Sequence, residues 1–362
     1  ADSIEEGKYD HNAYYNSGSY NVYYGNKLVA TIKDHNGGQG WGTITYDQGL
    51  YHSSNVAICN LLDQGYVTKD VLTEKLNDLG FFQGDTVDGL TCSSSINAYT
   101  RKNAGRLEYL TTGFGQGSTV TPYQLLKAYS VFGNDGKTVQ PHIVDKVVNP
   151  KTNKVVYQAT PKYSKQIFST NTISQVKDLM LGVIEDEQGT GKTYRLDNDV
   201  RMIGKTGTGQ VVENGGYSTT LYMHSFVGIA PYDDPQVVMF LTFKSGDSYA
   251  QYMPNIVKQT MNEALQVVNR YNAKNTTAVD QSYTLDSYTN QSVNYVKSKL
   301  ESKSLSVQII GNGSSVIEQY PLAKSKVTSG DKVFIKTEGK DITLPNLIGW
   351  SKKEVQTYAS LA

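Results

Sequence analysis

The stretch Arg201-Met202-Ile203-Gly204-Lys205-Thr206-Gly207-Thr208-Gly209-Gln210 predicts a glycine-punctuated β-strand that another backbone could approach closely. Two apolar segments follow it, 224–231 and 236–244, and the second is nearly continuous in Val, Met, Phe and Leu. Together the three segments predict a buried antiparallel sheet. Apolar residues at helical spacing from Ile256 to Val268 predict a helix packed on it. The sequence therefore predicts a mixed α/β (α+β) fold.

Composition narrows the class of partner. The chain has 362 residues, of which 34 are basic and 34 acidic, so no overall basic field points to nucleic acid. Cys59 and Cys92 stand in no C-x-x-C or Cys/His cluster, so neither a metal site nor a disulfide framework is expected. The longest apolar run, 237–243, is too short to cross a bilayer. A membrane anchor is expected to lie outside these residues.

Two short motifs carry the chemistry, Ser53-Ser54-Asn55 and Lys205-Thr206-Gly207. An S-x-N followed by a K-[ST]-G is two-thirds of the site of serine enzymes that acylate on penicillin-like and D-alanyl-D-alanine-like substrates, whose nucleophile lies in an S-x-x-K. Triplets also arise by chance. Lys244-Ser245-Gly246 is a second K-[ST]-G, interpreted as a loop after a strand, and Ser174-Gln175-Val176-Lys177 is an S-x-x-K, interpreted as helix surface.

A nucleotide site is the other motif-based alternative. Gly189-Thr190-Gly191-Lys192-Thr193 contains the closing G-K-T of a P-loop, but Asp186 stands where that pattern needs a glycine. Acidic neighbours would also repel a triphosphate. The segment is therefore interpreted as the end of a helix followed by a glycine turn.

A longer segment carries a resemblance. Residues 113–125 read Gly-Phe-Gly-Gln-Gly-Ser-Thr-Val-Thr-Pro-Tyr-Gln-Leu, which resembles the signature between the second and third motifs of penicillin-binding protein transpeptidase domains. Residues 316–321 and 330–333 resemble a PASTA module, and the restart at Leu344 resembles the opening of another. This order is similar to the division-type class B penicillin-binding proteins of Gram-positive bacteria. It implies the fold shared by these transpeptidases and serine β-lactamases.

The resemblance divides the chain into four parts. We expect the C-terminal portion of a transpeptidase domain at 1–270, a polar linker at 271–282 and a PASTA module at 283–338. Residues 339–362 would begin a second, truncated module, in which a capping box at Ser351 opens a helix. The apolar face of that helix is expected to lack strands to cover it.

The resemblance also assigns catalytic roles. Ser53 and Lys205 would form the proton-handling wall of the site, and Asn55 would hold the amide side of the substrate. The nucleophile is expected upstream of Ala1, so this chain alone is expected to be inactive. The chain departs from the family at His35, where relatives often carry an aromatic residue at the cleft rim; a solvated histidine is expected there.

The remaining site residues belong to the strand predicted at 201–210. By resemblance, the hydroxyls of Thr206 and Thr208 would bind the terminal carboxylate, and the Thr208 N–H would be an oxyanion donor. Gly207 would let the substrate backbone lie against the strand, and Gln210 would extend that contact.

The function implied is a peptidoglycan D,D-transpeptidase, with stem peptides ending in D-Ala-D-Ala as substrate and β-lactams as acylating inhibitors. No cofactor or metal is implied. Its partners would include the N-terminal portion of the same protein and cell-division proteins, at the extracellular face of the cytoplasmic membrane. Two alternatives stay open: a β-lactamase or β-lactam sensor of the same fold, and a non-catalytic wall-binding scaffold.

Overall fold

The computed structural model describes residues 1–84, 86–93, 95–197, 200–213, 215–275, 283–303, 305–327, 330–339, 341–347 and 350–362. They divide into two compact units, Ala1–Glu263 and Ala264–Ala362. Most of the linker predicted at 271–282 lies outside the described residues, and its first five positions instead continue a helix that ends at Asn275. Ile348 and Gly349 of the predicted module restart also lie outside them.

The first unit contains most of the helices. In chain order they are α1 (Asp2–Glu5), α2 (Tyr46–Tyr51), α3 (Asn55–Asp63), α4 (Lys69–Asp78), α5 (Arg106–Gly113), α6 (Pro122–Tyr129), α7 (Thr170–Glu185) and α8 (Met253–Asn275), the last of which ends in the second unit. Short 3-10 turns lie at Ser130–Gly133, Lys192–Tyr194 and Asp247–Tyr252.

The strands of the first unit form hairpins around one longer sheet. They are β1 (Tyr14–Asn16), β2 (Ser19–Tyr24), β3 (Lys27–Lys33), β4 (Thr43–Thr45), β5 (Thr86–Val87), β6 (Leu90–Thr91), β7 (Lys146–Val148), β8 (Val155–Gln158), β9 (Ile203–Glu213), β10 (Gly216–Ala230) and β11 (Val237–Ser245). β1 pairs with β4, and β2, β5 and β7 each pair with the strand that follows.

The predicted antiparallel sheet is confirmed, with strand order β11-β10-β9. Because side chains alternate along a strand, its two faces bury different residues. Val227 and Ile229 pack with Met180 of α7, whereas a Cβ at Gly228 would lie 3.5 Å from the Met261 side chain of α8. The sheet is thus held between two helices. The sequence predicted that Ile256 would lie on the packed face of α8, but this residue is 49% exposed.

Helix starts follow the sequence signals. Thr121 caps α6 through its hydroxyl, with Gln124 completing the capping box and Pro122 in the first turn. Ser169 caps α7 by accepting from the backbone N–H of Thr172. Both helices therefore begin at a residue whose side chain satisfies a free backbone N–H of the first turn.

The second unit is a small α/β module. It contains α9 (Val293–Glu301), α10 (Lys352–Leu361), β12 (Tyr283–Thr284), β13 (Ser306–Ile310), β14 (Val316–Tyr320), β15 (Lys326–Val327) and β16 (Lys332–Thr337). β16 is central: it runs parallel to β13 and antiparallel to β14. On one face of β16, Val333 and Ile335 pack in a cluster with Val296 and Leu300 of α9.

The expectation that α10 would have nothing to cover it is wrong. Leu361 is only 7% exposed and clusters with Phe334 and Ile310. Phe334 lies between Val333 and Ile335 in sequence, so it points to the opposite face of the sheet. That second face covers the helix, and the Nζ of Lys332 reaches the Glu354 carboxylate at 3.0 Å.

The N-terminal segment is fastened to the helices that lead to the site. The carboxylate of Glu5 accepts from the backbone N–H of Ser169, at the start of α7, at 3.0 Å. His11 lies between two elements, with Nδ1 3.0 Å from an Asp47 carboxylate oxygen in α2 and Nε2 3.0 Å from Gln175 Oε1 in α7. Both ring nitrogens face acceptor oxygens. Only the doubly protonated, charged ring can donate a hydrogen bond from each nitrogen.

This arrangement predicts a pH-dependent contribution to stability. The hydrogen bond to Gln175, followed by that to Asp47, raises the pKa of His11 above its usual value. The contribution should be complete below about pH 6.5 and vanish as pH rises through the raised folded pKa. Since the His11 side chain is 41% exposed, solvent screens these contacts, and His11→Gln should cost less than about 1 kcal/mol. Thermal unfolding at pH 6 and pH 9 should show the deficit only at pH 6, and exposed His142→Gln is the control.

Candidate active site

Lys205 and Ser53 meet across the molecule. Lys205 lies on β9, paired with Val227 of β10, and its Nζ donates to Ser53 Oγ at 2.7 Å and to the Thr206 carbonyl at 2.9 Å. Burial lowers the pKa of the Lys205 ammonium to about 8, because removing a charge from water disfavours the charged form. The ammonium is therefore a readier proton donor near neutral pH than an exposed lysine.

Ser53 lies in the short connection between α2 and α3. Its φ is +56°, a left-handed backbone that L-residues other than Gly, Asn and Asp adopt at a cost. The turn is held by its own backbone, since the N–H of Ser53 donates to the Leu50 carbonyl at 3.0 Å and that of Ser54 to the Gly49 carbonyl at 2.8 Å. The unusual φ is thus maintained by the end of α2.

A buried carboxylate fixes the other side of this connection. Asp34 is 2% exposed and accepts from three donors: Gly18 N–H at 2.8 Å, Ser54 Oγ at 2.9 Å and Val56 N–H at 3.1 Å. Ser54 is also the N-cap of α3, accepting from the Ala57 N–H at 3.0 Å. Asp34 thereby ties the end of β3 to the start of α3, and sequence reasoning did not assign it this role.

Asn55 is the first residue of α3, and its amide nitrogen donates to the Lys33 carbonyl at 2.9 Å. Ser53, Asn55 and Lys205 are all half-buried. The two motifs, about 150 positions apart in sequence, therefore share one site.

Thr190 is a site residue that the sequence did not reveal. Its hydroxyl lies 2.9 Å from that of Thr206, and its N–H donates to the Tyr51 carbonyl at 3.0 Å. The segment at 189–193, considered above as a P-loop, is therefore a turn that hydrogen-bonds to both the end of α2 and β9. A Cβ at Gly189 would lie 2.4 Å from the Val183 carbonyl oxygen, so the turn packs tightly on the end of α7.

The rest of the strand is arranged along β10. Gly207 lies opposite Ser225, and a Cβ there would come within 2.5 Å of the Ser225 Oγ. Thr208 lies opposite His224 and is exposed, as is Gln210 farther along β9. These exposed positions are accessible to a ligand.

The structure separates the motifs from their decoys. Lys244 and Ser245 belong to β11, where they pair with Met223 and Tyr222 of β10, so the interpretation of this triplet as a loop is wrong. The Nζ of Lys244 contacts the Glu213 carboxylate of β9 at 3.0 Å. Ser174 is exposed on α7, as predicted. Lys177, its partner in the S-x-x-K, lies 4.9 Å from the centroid of the Tyr232 ring.

Across the described ranges, no group of three or more His, Cys, Asp or Glu side chains could hold a metal ion. None of the helices in that part of the chain combines the length and apolar character that a bilayer crossing requires. Both cysteines are free: Cys59 is buried and Cys92 half-buried.

Comparison with known families identifies the fold. Residues 1–266 match the family described as "Penicillin binding protein transpeptidase domain". The chain belongs to this family. Residues 283–339 match the PASTA domain, so the predicted resemblance to class B penicillin-binding proteins with C-terminal PASTA modules is confirmed.

Two curated relatives of this penicillin-binding protein chain are each about 30% identical to it. Stage V sporulation protein D of Bacillus subtilis (strain 168) is 29% identical over 83% of this chain and 47% of its own length. Peptidoglycan D,D-transpeptidase MrdA of Haemophilus influenzae is 30% identical over 45% of this chain and 27% of its own length. The chain thus spans less than half the length of either relative.

Solved structures confirm the predicted fold class. Penicillin Binding Protein 2X from Streptococcus thermophilus matches with a TM-score of 0.63 at 22% identity, covering 99% of this chain and 53% of that one. The transpeptidase domain of penicillin-binding protein 3 from Burkholderia pseudomallei matches with a TM-score of 0.60 at 22% identity, covering 74% and 76%. At these identities the likeness concerns the fold.

Proposed function

We propose that this chain supplies one wall of a serine D,D-transpeptidase site that cross-links peptidoglycan stem peptides and is acylated by β-lactams. The observation that carries the proposal is the 2.7 Å contact between Lys205 Nζ and Ser53 Oγ, made by two motifs of a chain that belongs to the family. The nucleophilic serine is proposed to lie in an S-x-x-K outside the 362 residues.

The reaction would proceed by acyl transfer. The serine oxygen attacks the carbonyl between the two D-alanines, and its proton passes to a base. As the C–N bond breaks, the leaving D-alanine amine takes a proton from Ser53, which recovers one from the Lys205 ammonium. An acceptor amine then attacks the acyl carbonyl and gives one proton through Ser53 back to Lys205. As the C–O bond breaks, the serine oxygen leaves and takes its proton back from the base. A Lys205 pKa of about 8 suits this proton relay at neutral pH.

Substrate binding would use the β9 strand and Asn55. Thr208, exposed beside Gly207, would bind the terminal carboxylate through its hydroxyl, and its N–H would stabilise the oxyanion. Thr206 would share the carboxylate while its hydroxyl keeps contact with Thr190. Gln210 would extend the strand contact.

The wider context is also proposed. The transpeptidase part would cover 1–270, followed by the last turn of α8, a linker that ends at 282, a PASTA module at 283–338 and the start of another at 339–362. The complete protein would be anchored by an N-terminal segment at the extracellular face of the membrane, together with cell-division proteins. Because the nucleophile would lie elsewhere, these 362 residues alone would be inactive.

Covalent labelling by a fluorescent penicillin tests the proposal. The complete protein should form one adduct per molecule that persists long after free penicillin is removed, because the amine expelled by opening the β-lactam ring stays tethered to the acyl group and does not leave the site for an incoming amine or water. Rapid hydrolysis with turnover would instead indicate a β-lactamase. Complete absence of labelling would indicate a scaffold and would contradict the proposal.

A further inference from the structure

A ring stack lies directly beside the Ser53 connection. His52, the residue before Ser53, stacks on Trp41 with ring centroids 4.4 Å apart and planes inclined by 9°. His52 is only 6% exposed, and burial lowers the pKa of its imidazole, so the ring is neutral at neutral pH. On the other side, exposed His35 lies 5.4 Å from Trp41 between ring centroids. The solvated histidine expected at position 35 therefore contacts an aromatic ring.

Trp41 lies on a loop with little freedom. Its N–H donates to Ser17 Oγ at 2.6 Å, and the Asn36 side chain exchanges two hydrogen bonds of 3.0 Å with the backbone of Gly40. A Cβ at Gly40, whose φ is +69°, would come within 2.6 Å of the Gly18 backbone nitrogen. The loop is thus packed against the β2 edge, and the indole is a fixed surface.

The stack of His52 on Trp41 adds to the hydrogen bonds that hold the end of α2. The N–H of His52 donates to the Gln48 carbonyl at 2.9 Å and that of Ser53 to Leu50 at 3.0 Å. These bonds lie within the end of α2, whose last residue, Tyr51, is held from outside by the Thr190 N–H. The face-to-face contact with Trp41 adds a second fixed point outside the helix, next to Ser53, and is favourable beyond the area that it buries. Ser53 Oγ must stay within 2.7 Å of Lys205 Nζ, and a 1 Å error there is costly.

We infer that His52 and Trp41 are positioning residues, whose ring stack holds the left-handed Ser53 turn so that its hydroxyl stays against Lys205. The inference rests on the proposed function, because it concerns the rate at which that site acylates. Neither ring is assigned a proton-transfer step. A planar ring at position 52 should suffice, whereas a small side chain should not.

The test measures acylation of the complete protein by a fluorescent penicillin, separating the dissociation constant of the first complex from the acylation rate constant. His52→Ala and Trp41→Ala should each lower the rate constant about ten-fold or more, with the dissociation constant changed less than about two-fold. His52→Phe should keep the rate within about three-fold of the original. The double variant His52→Ala with Trp41→Ala should be no slower than either single variant, because both remove one contact.

Several outcomes would overturn the inference. An unchanged rate in His52→Ala would remove the role of the stack, and a His52→Phe variant as slow as His52→Ala would show that the imidazole itself is required. Additive losses in the double variant would mean that the two residues act separately. If His52→Ala does not fold, as judged by its melting temperature, His52→Asn replaces it. Failure of the original protein to acylate at all would instead refute the proposed function.

Discussion

Replacing Lys205 with methionine in the complete protein is expected to lower its rate of acylation by penicillin about 10²- to 10⁴-fold, the usual worth of a positioned proton donor. The substitution removes the ammonium that contacts Ser53 and leaves a side chain of similar length. Stopped-flow or quench measurements with a fluorescent penicillin give the rate. A loss smaller than about three-fold would mean that Lys205 is not part of the proton relay.

The chain contains its own control for this change. Lys244 stands in the same K-S-G triplet type, but its Nζ pairs with Glu213, so Lys244→Met should leave the acylation rate within about two-fold. Stability separates the two variants further. Since burial lowers the pKa of Lys205 to about 8, the unfolded chain binds more protons than the folded one between pH 8 and its unfolded value of about 10.4. The original protein should therefore gain stability over that range, and Lys205→Met should not.

Replacing Asp34 with alanine should be the most destabilising single change near the site. It leaves three donors, from Gly18, Ser54 and Val56, without their buried acceptor. Each buried donor left unsatisfied costs about 1–3 kcal/mol, so a loss of roughly 3 kcal/mol or more in the free energy of unfolding is expected. Denaturant unfolding of the complete protein measures it.

Asp34→Asn refines this prediction. The amide keeps the shape of the carboxylate but has one acceptor oxygen, so its NH₂ group must face at least one of the three donors, and the variant should be destabilised too. Asp233→Ala is the matched control, since its side chain is 74% exposed in a pair with Arg201, and it should change the free energy of unfolding by less than about 0.5 kcal/mol. Equal effects of Asp34→Ala and Asp233→Ala would contradict the role assigned to Asp34.

The sequence predicted the parts of the fold that depend on local patterns. The β9 to β11 strands and the capping box at Ser351 each lie in a short window of residues. The sequence could not predict what packs on α10. That contact depends on which face of the β13-β16-β14 sheet remains available after α9 has packed on the other. The strand predicted at 236–244 extends one residue farther, to Ser245, because that residue pairs with Tyr222 of β10, a contact between residues distant in sequence.

The site shows the same division. Ser53, Asn55 and Lys205 could be named from motifs, and the structure brings Ser53 to Lys205. Asp34 and Thr190 act through contacts with residues 20 and 16 positions away, and neither stands in a pattern that signals such a contact. The role inferred for Trp41 depends on the stacking of its ring on His52, a contact that no sequence pattern indicates.

The central claim is that these residues form one wall of the site and that the nucleophile belongs to an S-x-x-K outside them. Peptide mass mapping of the complete protein after labelling with penicillin locates the acylated serine. We expect a single penicilloyl adduct, on a serine that is not among the 362 residues. An adduct on Ser53, Ser174 or any other serine of this chain would contradict it.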